Sequence, residues 1–232
     1  MITYTQQGDV AILNWDDGKV NSLGHATLDA LNEQLTRAEK EAKAVVIVGR
    51  QGLFSAGFNL KEVAAEAPLT EILPPLVHKG AVFLLRLFSH PLPIVAACTG
   101  HAIAAGAMIL LASDTRIGSK GDFKTSLNET AINMIMPPFG AELVKARVTH
   151  RFQSRCLIQA EMFGTQDAEA AGFFDELVDP DQVIDVAIAR ATHLATLPGD
   201  KYAYYKMIFF FKQKTAYEIS ECDWSSDVCS SD

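Results

Sequence analysis

The chain has 232 residues, of which 49% are hydrophobic and 21% charged, and its formal net charge is −8. This apolar fraction supplies a sizeable core and excludes wholesale disorder. An acidic balance without a basic stripe excludes a nucleic-acid-binding surface. No apolar run reaches the ~20 residues of a membrane span, and the first residues lack a signal-peptide pattern. We therefore expect a soluble, cytoplasmic protein with neither nucleic acid nor membrane among its partners.

The first half of the chain alternates predicted strands and helices. Residues 10–15 predict a strand, and residues 2–4 its hairpin partner. Apolar residues at spacings of three and four predict an amphipathic helix over 25–43. The remaining predicted elements of this half are a buried strand over 44–48, a glycine-containing loop over 51–59, a short helix from residue 60, and a helix over 70–90 ended by Pro91 and Pro93.

The second half continues the same alternation. The predicted strands cover residues 94–98, 114–117 and 176–178, and the predicted helices cover residues 138–149, 152–160, 166–172 and 181–197. Strands that alternate with helices are typical of an α/β protein. No internal repeat of 20 to 50 residues is present.

The last 26 residues, 207–232, break this pattern. They begin with Met207 and three consecutive phenylalanines from Phe209 and continue into polar sequence without helical or strand periodicity. The segment resembles translated sequencing-adapter read-through, and the alternative is a natural polar tail. We expect a foreign, disordered tail with irregular geometry beyond Lys206 that does not build the native fold.

Several well-known catalytic motifs are absent from the sequence. It contains no phosphate-binding Walker loop, no zinc-protease H-E-x-x-H, no G-x-S-x-G elbow and no G-x-G-x-x-G. Its four cysteines form no short-spaced pair, and Cys98 and Cys156 lie in apolar runs typical of buried, reduced thiols. We therefore predict neither a metal site nor a nicotinamide cofactor.

Two segments instead suggest a backbone binding site. Residues 52–62 and 99–108 each follow a predicted buried strand and lead toward a helix. A small-residue turn at such a corner can present backbone N–H groups to an anion or an oxyanion. Taken alone, a small-residue corner of this kind usually serves close packing.

Taken together and in order, these segments resemble the crotonase (enoyl-CoA hydratase/isomerase) superfamily over residues 1–206. The supporting stretches are 54–62, 93–100, Ala105-Gly106, 114–117, Asn128-Glu129 followed by Pro137, and 167–178. The resemblance implies a spiral of ββα units followed by a helical region used for trimerisation. Here that region would start near residue 150 and be truncated near Lys206. It also implies an acyl-CoA thioester substrate, with coenzyme A as part of the substrate and no separate cofactor, and a homotrimer or hexamer.

The resemblance also assigns roles to residues of the two corners. The backbone N–H groups of Phe58 and Ala105 would form an oxyanion hole for the thioester oxygen. Ala56, Asn59, Leu60 and Lys61 would border coenzyme A, although Lys61 could equally belong to a solvated helix face. Phe58 replaces the usual small residue, which we expect to narrow the acyl entrance.

Family hydratases use two glutamates, and this sequence supplies one of them. At the position of the first hydratase glutamate the sequence has Met108, whose thioether can neither accept nor donate a proton. The second matches Glu129, for which the alternative is a solvated surface acid. Glu142 is either structural or a replacement for the missing carboxylate, and we interpret His101 as a hydrogen-bonded structural histidine.

These assignments predict an enoyl-CoA isomerase. A single carboxylate beside a thioester-bound acyl chain can move a proton between C2 and C4, and partial burial would raise its pKa toward neutrality. The alternatives are a hydratase-like activity with other acid–base residues and a non-catalytic acyl-CoA-binding homologue. The sequence leaves the acyl chain length open.

Overall fold

The computed structural model describes residues 1–66 and 74–208 of the chain. The strands are β1 (Ile2–Gln7), β2 (Val10–Trp15), β3 (Ser22–Leu23), β4 (Ala44–Val48), β5 (Gly52–Ser55), β6 (Gly57–Phe58), β7 (Ile94–Cys98), β8 (Gly100–Ile103), β9 (Thr115–Ser119), β10 (Lys124–Ser126), β11 (Phe163–Gly164) and β12 (Glu176–Val178). The helices are α1 (His25–Glu41), α2 (Leu60–Glu66), α3 (Pro75–Phe88), α4 (Ala105–Ala112), α5 (Pro138–Arg147), α6 (His150–Leu157), α7 (Thr165–Ala171) and α8 (Val183–Leu194). A 3₁₀ turn covers Thr130–Ile132, and a further helical stretch covers 199–208.

A six-stranded sheet forms the centre of the fold, in the order β1-β2-β4-β7-β9-β12. The hairpin of β1 and β2 is antiparallel as predicted, and the other neighbouring strands run parallel. Every residue of β4 and β7 is buried. Alternate side chains of these strands enter two apolar clusters, one of which includes α8 while the other includes α1, α3 and α4. Cover on both faces explains why the two strands are continuous apolar runs.

A second sheet lies beside the first, in the order β11-β10-β8-β5. Three strands of the central sheet, β4, β7 and β9, are each followed by a strand of this second sheet and later by a helix, as in β7, β8 and α4. The same order occurs in β4, β5 and the helices α2 and α3. This repetition is the spiral of ββα units that the family resemblance implies, and it confirms the α/β class predicted from the alternation of strands and helices.

The prediction of a loop over residues 51–59 is wrong, because the segment contains β5 and β6. β5 pairs with β8, and β6 pairs with β3, in both cases across tens of residues. Short strands with such distant partners carry no periodicity of their own, and the same reason explains why the sequence did not reveal β10.

The predicted helices are present with bounds shifted by a few residues. The helix expected over 70–90 is α3, which begins with Pro75 at its first position, where the missing N–H is not needed. Residues 70–73 of that prediction lie outside the described residues. So does the expected disordered tail from residue 209 onward, whereas residues 207 and 208 continue the last helical stretch. Cys98 and Cys156 are buried free thiols, as predicted.

The last helical stretch is attached to the body of the protein through Lys206. Its Nζ lies 2.7 Å from Oδ2 of Asp114 and also donates to the carbonyl oxygen of Leu87. The Lys206 side chain is only 10% exposed, and burial lowers the pKa of its ammonium group. Within the described ranges, no helix is both long and apolar enough to cross a membrane.

The start of β8 has room only for glycine, which gives a test of the two-sheet arrangement. A Cβ on Gly100 would overlap the carbonyl group of Gly52, the paired residue of β5. The overlap is with backbone atoms, which cannot rotate aside as a side chain can. We therefore expect Gly100→Ala to lower the free energy of unfolding by about 3 kcal/mol or more. Gly164→Ala is the matched control, since nothing lies within 4 Å of its Cβ position. Denaturant titration measures both, and a Gly100→Ala protein as stable as the wild type would contradict the packing.

Candidate active site

A largely apolar cavity of about 110 Å³ opens where the two predicted corners meet the segment after β10. Its lining residues come from β6, α2, α3, β8 and the loop that leads to α5: Ala56, Phe58, Leu60, Val77, Ile103, Ala104, Asn128, Glu129, Ile132, Met134, Ile135 and Pro137. Of the described residues that line it, Glu129 is the only one with an ionisable side chain. A cavity of this kind, with one titratable group among apolar walls, is a typical small-ligand site.

The two corners are in direct contact at their backbones. A Cβ on Gly57 would lie 2.9 Å from the carbonyl oxygen of Ile103 and 3.1 Å from the amide nitrogen of Ala105. A Cβ on Gly106 would lie 2.5 Å from the carbonyl oxygen of Ser55. Both glycines therefore allow a close approach that any side chain would prevent, and Gly57 also has a φ of +89°.

The start of α4 places an N–H group at this contact. The first hydrogen bond of the helix runs from the Met108 N–H to the Ala104 carbonyl oxygen, so the Ala105 N–H has no partner within its own helix. Ala104 itself has φ 51° and ψ −124°, a strained conformation for a residue with a Cβ. Its N–H donates to Ser126 at 2.8 Å, which ties the corner to β10. Strain held by surrounding bonds is common where a backbone donor must be fixed in place.

A chain of buried polar groups holds the neighbouring turn. The Ser55 hydroxyl donates to the Asn21 carbonyl oxygen at 2.7 Å and accepts the Gly57 N–H at 3.1 Å. The Asn21 side chain donates to the carbonyl oxygens of Trp15 and Phe54. The peptide units before Phe58 are therefore fixed to β2 and β5, which restricts where the Phe58 N–H can point.

Glu129 lines the same cavity from the segment that follows β10, and it is only 4% exposed. Its carbonyl oxygen accepts the Met134 N–H at 2.9 Å, which closes the loop around the 3₁₀ turn. Among the described residues, its Oε2 atom and Oδ1 of the adjacent Asn128 are buried without a hydrogen-bond partner. Burial raises the pKa of the Glu129 carboxyl to about 7, and its own backbone N–H offsets this only in part. The carboxyl can therefore both accept and release a proton near neutrality.

The four residues expected to border coenzyme A divide into two pairs. Ala56 and Leu60 line the cavity. Asn59 caps α2, because its Oδ1 accepts the Lys61 N–H and its Nδ2 donates to Glu62 at 2.6 Å. Lys61 is exposed at the same corner, outside the cavity lining.

Three other residues lie outside the cavity. Met108 is fully buried and packs against α5, since a Cβ on Gly140 would lie 3.1 Å from its methyl carbon. Glu142 is exposed and pairs with Lys145 at 2.8 Å, so it does not enter the cavity in place of a second carboxylate. His101 accepts the Lys124 N–H at 3.0 Å and contacts Phe123 edge-on, which agrees with a structural role.

Most of the apolar wall was not predicted from the sequence. It comes from α3, β8 and the loop before α5, in Val77, Ile103, Ile132, Met134 and Ile135. These segments are far apart in the chain, and no local pattern links them. Among the described residues, no group of three or more histidine, cysteine or acidic side chains could hold a metal ion.

Comparison with known proteins identifies the family. The profile of the enoyl-CoA hydratase/isomerase family matches residues 5–227. The chain belongs to this family. Within the crotonase fold it is similar to a Mycobacterium tuberculosis protein that one solved structure names an apo enoyl-CoA isomerase, with 34% identity, a TM-score of 0.85 and 94% of each chain covered. Another structure of that protein names it a probable enoyl-CoA hydratase.

Two curated relatives carry different activity names. A probable enoyl-CoA hydratase of Rhodobacter capsulatus is 30% identical over 90% of this chain and 80% of its own length. The human mitochondrial enoyl-CoA delta isomerase 1 is 27% identical over 82% of this chain, which spans 63% of that protein. The family thus identifies an enzyme of acyl-CoA thioester chemistry and leaves isomerase and hydratase as alternatives.

The buried Ser55 hydroxyl provides a test of how the site is held. Ser55→Ala leaves the Gly57 N–H without a partner, which we expect to destabilise the fold by about 1–3 kcal/mol. Without this hydrogen bond the turn before Phe58 is held less firmly. We therefore expect kcat on an enoyl-CoA substrate to fall by at least about tenfold, approaching the ~10²–10³-fold loss of a missing oxyanion donor. Ser113→Ala is the control, because its buried hydroxyl bonds only to Ile109 of its own helix. Equal kcat values in the two variants would contradict a positioning role for Ser55.

Proposed function

We propose that this protein is an enoyl-CoA isomerase that moves a double bond along an acyl-CoA thioester with Glu129 as its proton carrier. The observation that carries the proposal is the buried Glu129 carboxyl, the one carboxyl among the described cavity residues. Its Oε2 has no hydrogen-bond partner within the described part of the chain, and its pKa is raised to about 7. It faces an apolar space that also contains the corner of Phe58 and Ala104.

The proposed reaction begins with the thioester oxygen between the N–H groups of Phe58 and Ala105. The Glu129 carboxylate removes a proton from C2 of a 3-enoyl-CoA, and the electron pair moves onto the thioester oxygen as an enolate. The protonated Glu129 then returns the proton to C4, and the conjugated 2-enoyl-CoA forms. Fixed backbone donors suit this reaction because they need no rearrangement when the negative charge develops.

The absence of a second carboxylate favours isomerisation over hydration. Adding water across a double bond needs groups that hold and activate the water, and of the described cavity residues only Glu129 has a carboxyl group. Met108 lies in the core and Glu142 at the surface. A pKa near 7 also supports a catalyst over a binding-only homologue, since a carboxyl with that pKa is partly ionised and partly protonated at neutral pH.

The coenzyme A part of the substrate would lie along the corner of β6 and α2. Ala56 and Leu60 are at the mouth of the cavity, and the exposed ammonium group of Lys61 is available to the phosphates. We retain a homotrimer or hexamer in the cytoplasm as the prediction for the assembly and its location.

Glu129→Gln tests the proton carrier. The amide keeps the shape and removes the base, so turnover of a 3-enoyl-CoA should fall by about 10²–10⁴-fold with substrate affinity nearly unchanged. Formation of the conjugated product is measured by its gain in absorbance. Glu142→Gln is the control, because it removes an exposed carboxylate away from the cavity. Retention of most activity in Glu129→Gln would contradict the assignment, and a strong loss of absorbance with 2-enoyl-CoA would indicate a hydratase.

The raised pKa of Glu129 also predicts the pH dependence of the rate. The ionised form is the base, so kcat/KM should be constant above a pKa of about 7 and fall about tenfold for each pH unit below it. A pH profile of the wild type checks this, with the residual rate of Glu129→Gln expected to lack the same step. A rate that stays constant down to pH values of about 5 would mean that the base has an ordinary carboxyl pKa.

A further inference from the structure

The aromatic ring of Phe58 is packed against a glycine in the middle of α3. A Cβ built on Gly80 would overlap ring atoms Cε1 and Cζ of Phe58, so any side chain at this position would have to displace the ring. A glycine inside a helix is about 1 kcal/mol less favourable than alanine. Gly80 is buried, and the ring of Phe58 is the contact that explains it.

The ring and α3 together form one wall of the cavity. Val77 lies three residues before Gly80, on the same face of the helix, and lines the cavity beside Phe58. Both side chains are buried, Val77 at 1% and Phe58 at 9% exposure. The position of the ring, and with it the room inside the cavity, is therefore set by how closely the ring approaches Gly80.

We propose that the Phe58–Gly80 pair determines the acyl chain length that this protein accepts and restricts it to short chains. This inference rests on the proposed function, since it concerns the acyl part of the same thioester. The cavity measures about 110 Å³, less than the ~150 Å³ of an enclosed cavity that holds a benzene molecule, so the space beside Phe58 accommodates only a short acyl group.

Phe58 links the position of the thioester to the position of one wall of the acyl cavity. In the proposed reaction its N–H binds the thioester oxygen, while its ring forms a wall of the space into which the acyl chain extends. Both groups belong to one residue, so the distance between the thioester and the wall cannot vary freely. A longer acyl chain directed toward α3 would have to displace the ring, and the close contact with Gly80 leaves no free space behind the ring in that direction.

The test compares the binding of butyryl-CoA and octanoyl-CoA by calorimetry. These saturated thioesters report chain length without any reaction. The wild type should bind butyryl-CoA more tightly. Phe58→Ala removes the wall, so each further methylene that enters the cavity should tighten octanoyl-CoA binding about fourfold, and the octanoyl-to-butyryl affinity ratio should rise about tenfold or more. Phe58→Leu should raise the ratio by a smaller factor and covers the case in which the larger truncation fails to fold.

Substitution at Gly80 moves the wall in the opposite direction. The methyl group of Gly80→Ala should push the ring into the cavity and lower the octanoyl-to-butyryl ratio below that of the wild type. Phe58→Leu in the Gly80→Ala background should restore the lost room and raise the ratio again. Gly199→Ala is the control, because nothing lies within 4 Å of its Cβ position, and it should keep the wild-type ratio.

The possible outcomes separate this inference from the proposed function. Folded Phe58 variants with the wild-type affinity ratio would overturn the role of the pair even if isomerase activity is present. A shifted ratio in a protein that does not isomerise 3-enoyl-CoA would support the pair and contradict the proposed reaction. If the wild type binds neither thioester, both the proposed function and this inference are wrong.

Discussion

Keeping a carboxyl group out of water, with no cation beside it among the described residues, is the constraint on which the candidate site depends. Glu129 is 4% exposed, and burial is the dominant influence on its pKa, which rises from 4.5 to about 7. A shift of this size corresponds to a cost on the order of 3 kcal/mol for the ionised form. Because the folded-state pKa is the raised one, the cost develops as the pH rises from about 4.5 and is complete above about 7. The rest of the fold must supply the stability that offsets it.

The fold meets this requirement with a rigid scaffold around a small cavity. The central sheet is covered on both faces, and β10, which precedes Glu129, is tied to β8 and to Ala104. The close contact of Gly57 with the start of α4 fixes the backbone of the two corners beside the cavity. The N–H groups proposed as oxyanion donors therefore belong to backbone that packing and hydrogen bonds already hold in place, which is what stabilisation of a developing charge requires.

The sequence predicts the parts of this arrangement that have local causes. Buried strands such as β4 and β7 are continuous apolar runs, and α1 shows the spacing of an amphipathic helix. Both kinds of element can therefore be predicted directly from the sequence. The roles proposed for Glu129 and for the backbone of Phe58 and Ala105 come from motif resemblance, and the structure brings their segments around one cavity. The burial of Glu129 depends on its surroundings and could only be expected in part.

Other features have causes that are distant in the sequence. The strands β5 and β6 exist because of partners tens of residues away, so the segment resembles a loop when considered alone. The ring of Phe58 packs against Gly80, which is distant in the sequence, and no local pattern predicts that contact. Asn59 matches a family motif, yet its side chain caps α2 instead of lining the cavity.

The most direct test of this account is the titration of the Glu129 carboxyl by carbon NMR in protein with labelled glutamate side chains. The account predicts one carboxyl resonance with a midpoint at a pKa of about 7, absent from the spectrum of Glu129→Gln and retained in that of Glu142→Gln. If the resonance removed by Glu129→Gln titrates instead near the ordinary glutamate pKa of about 4.3, the buried proton carrier and the mechanism built on it are contradicted.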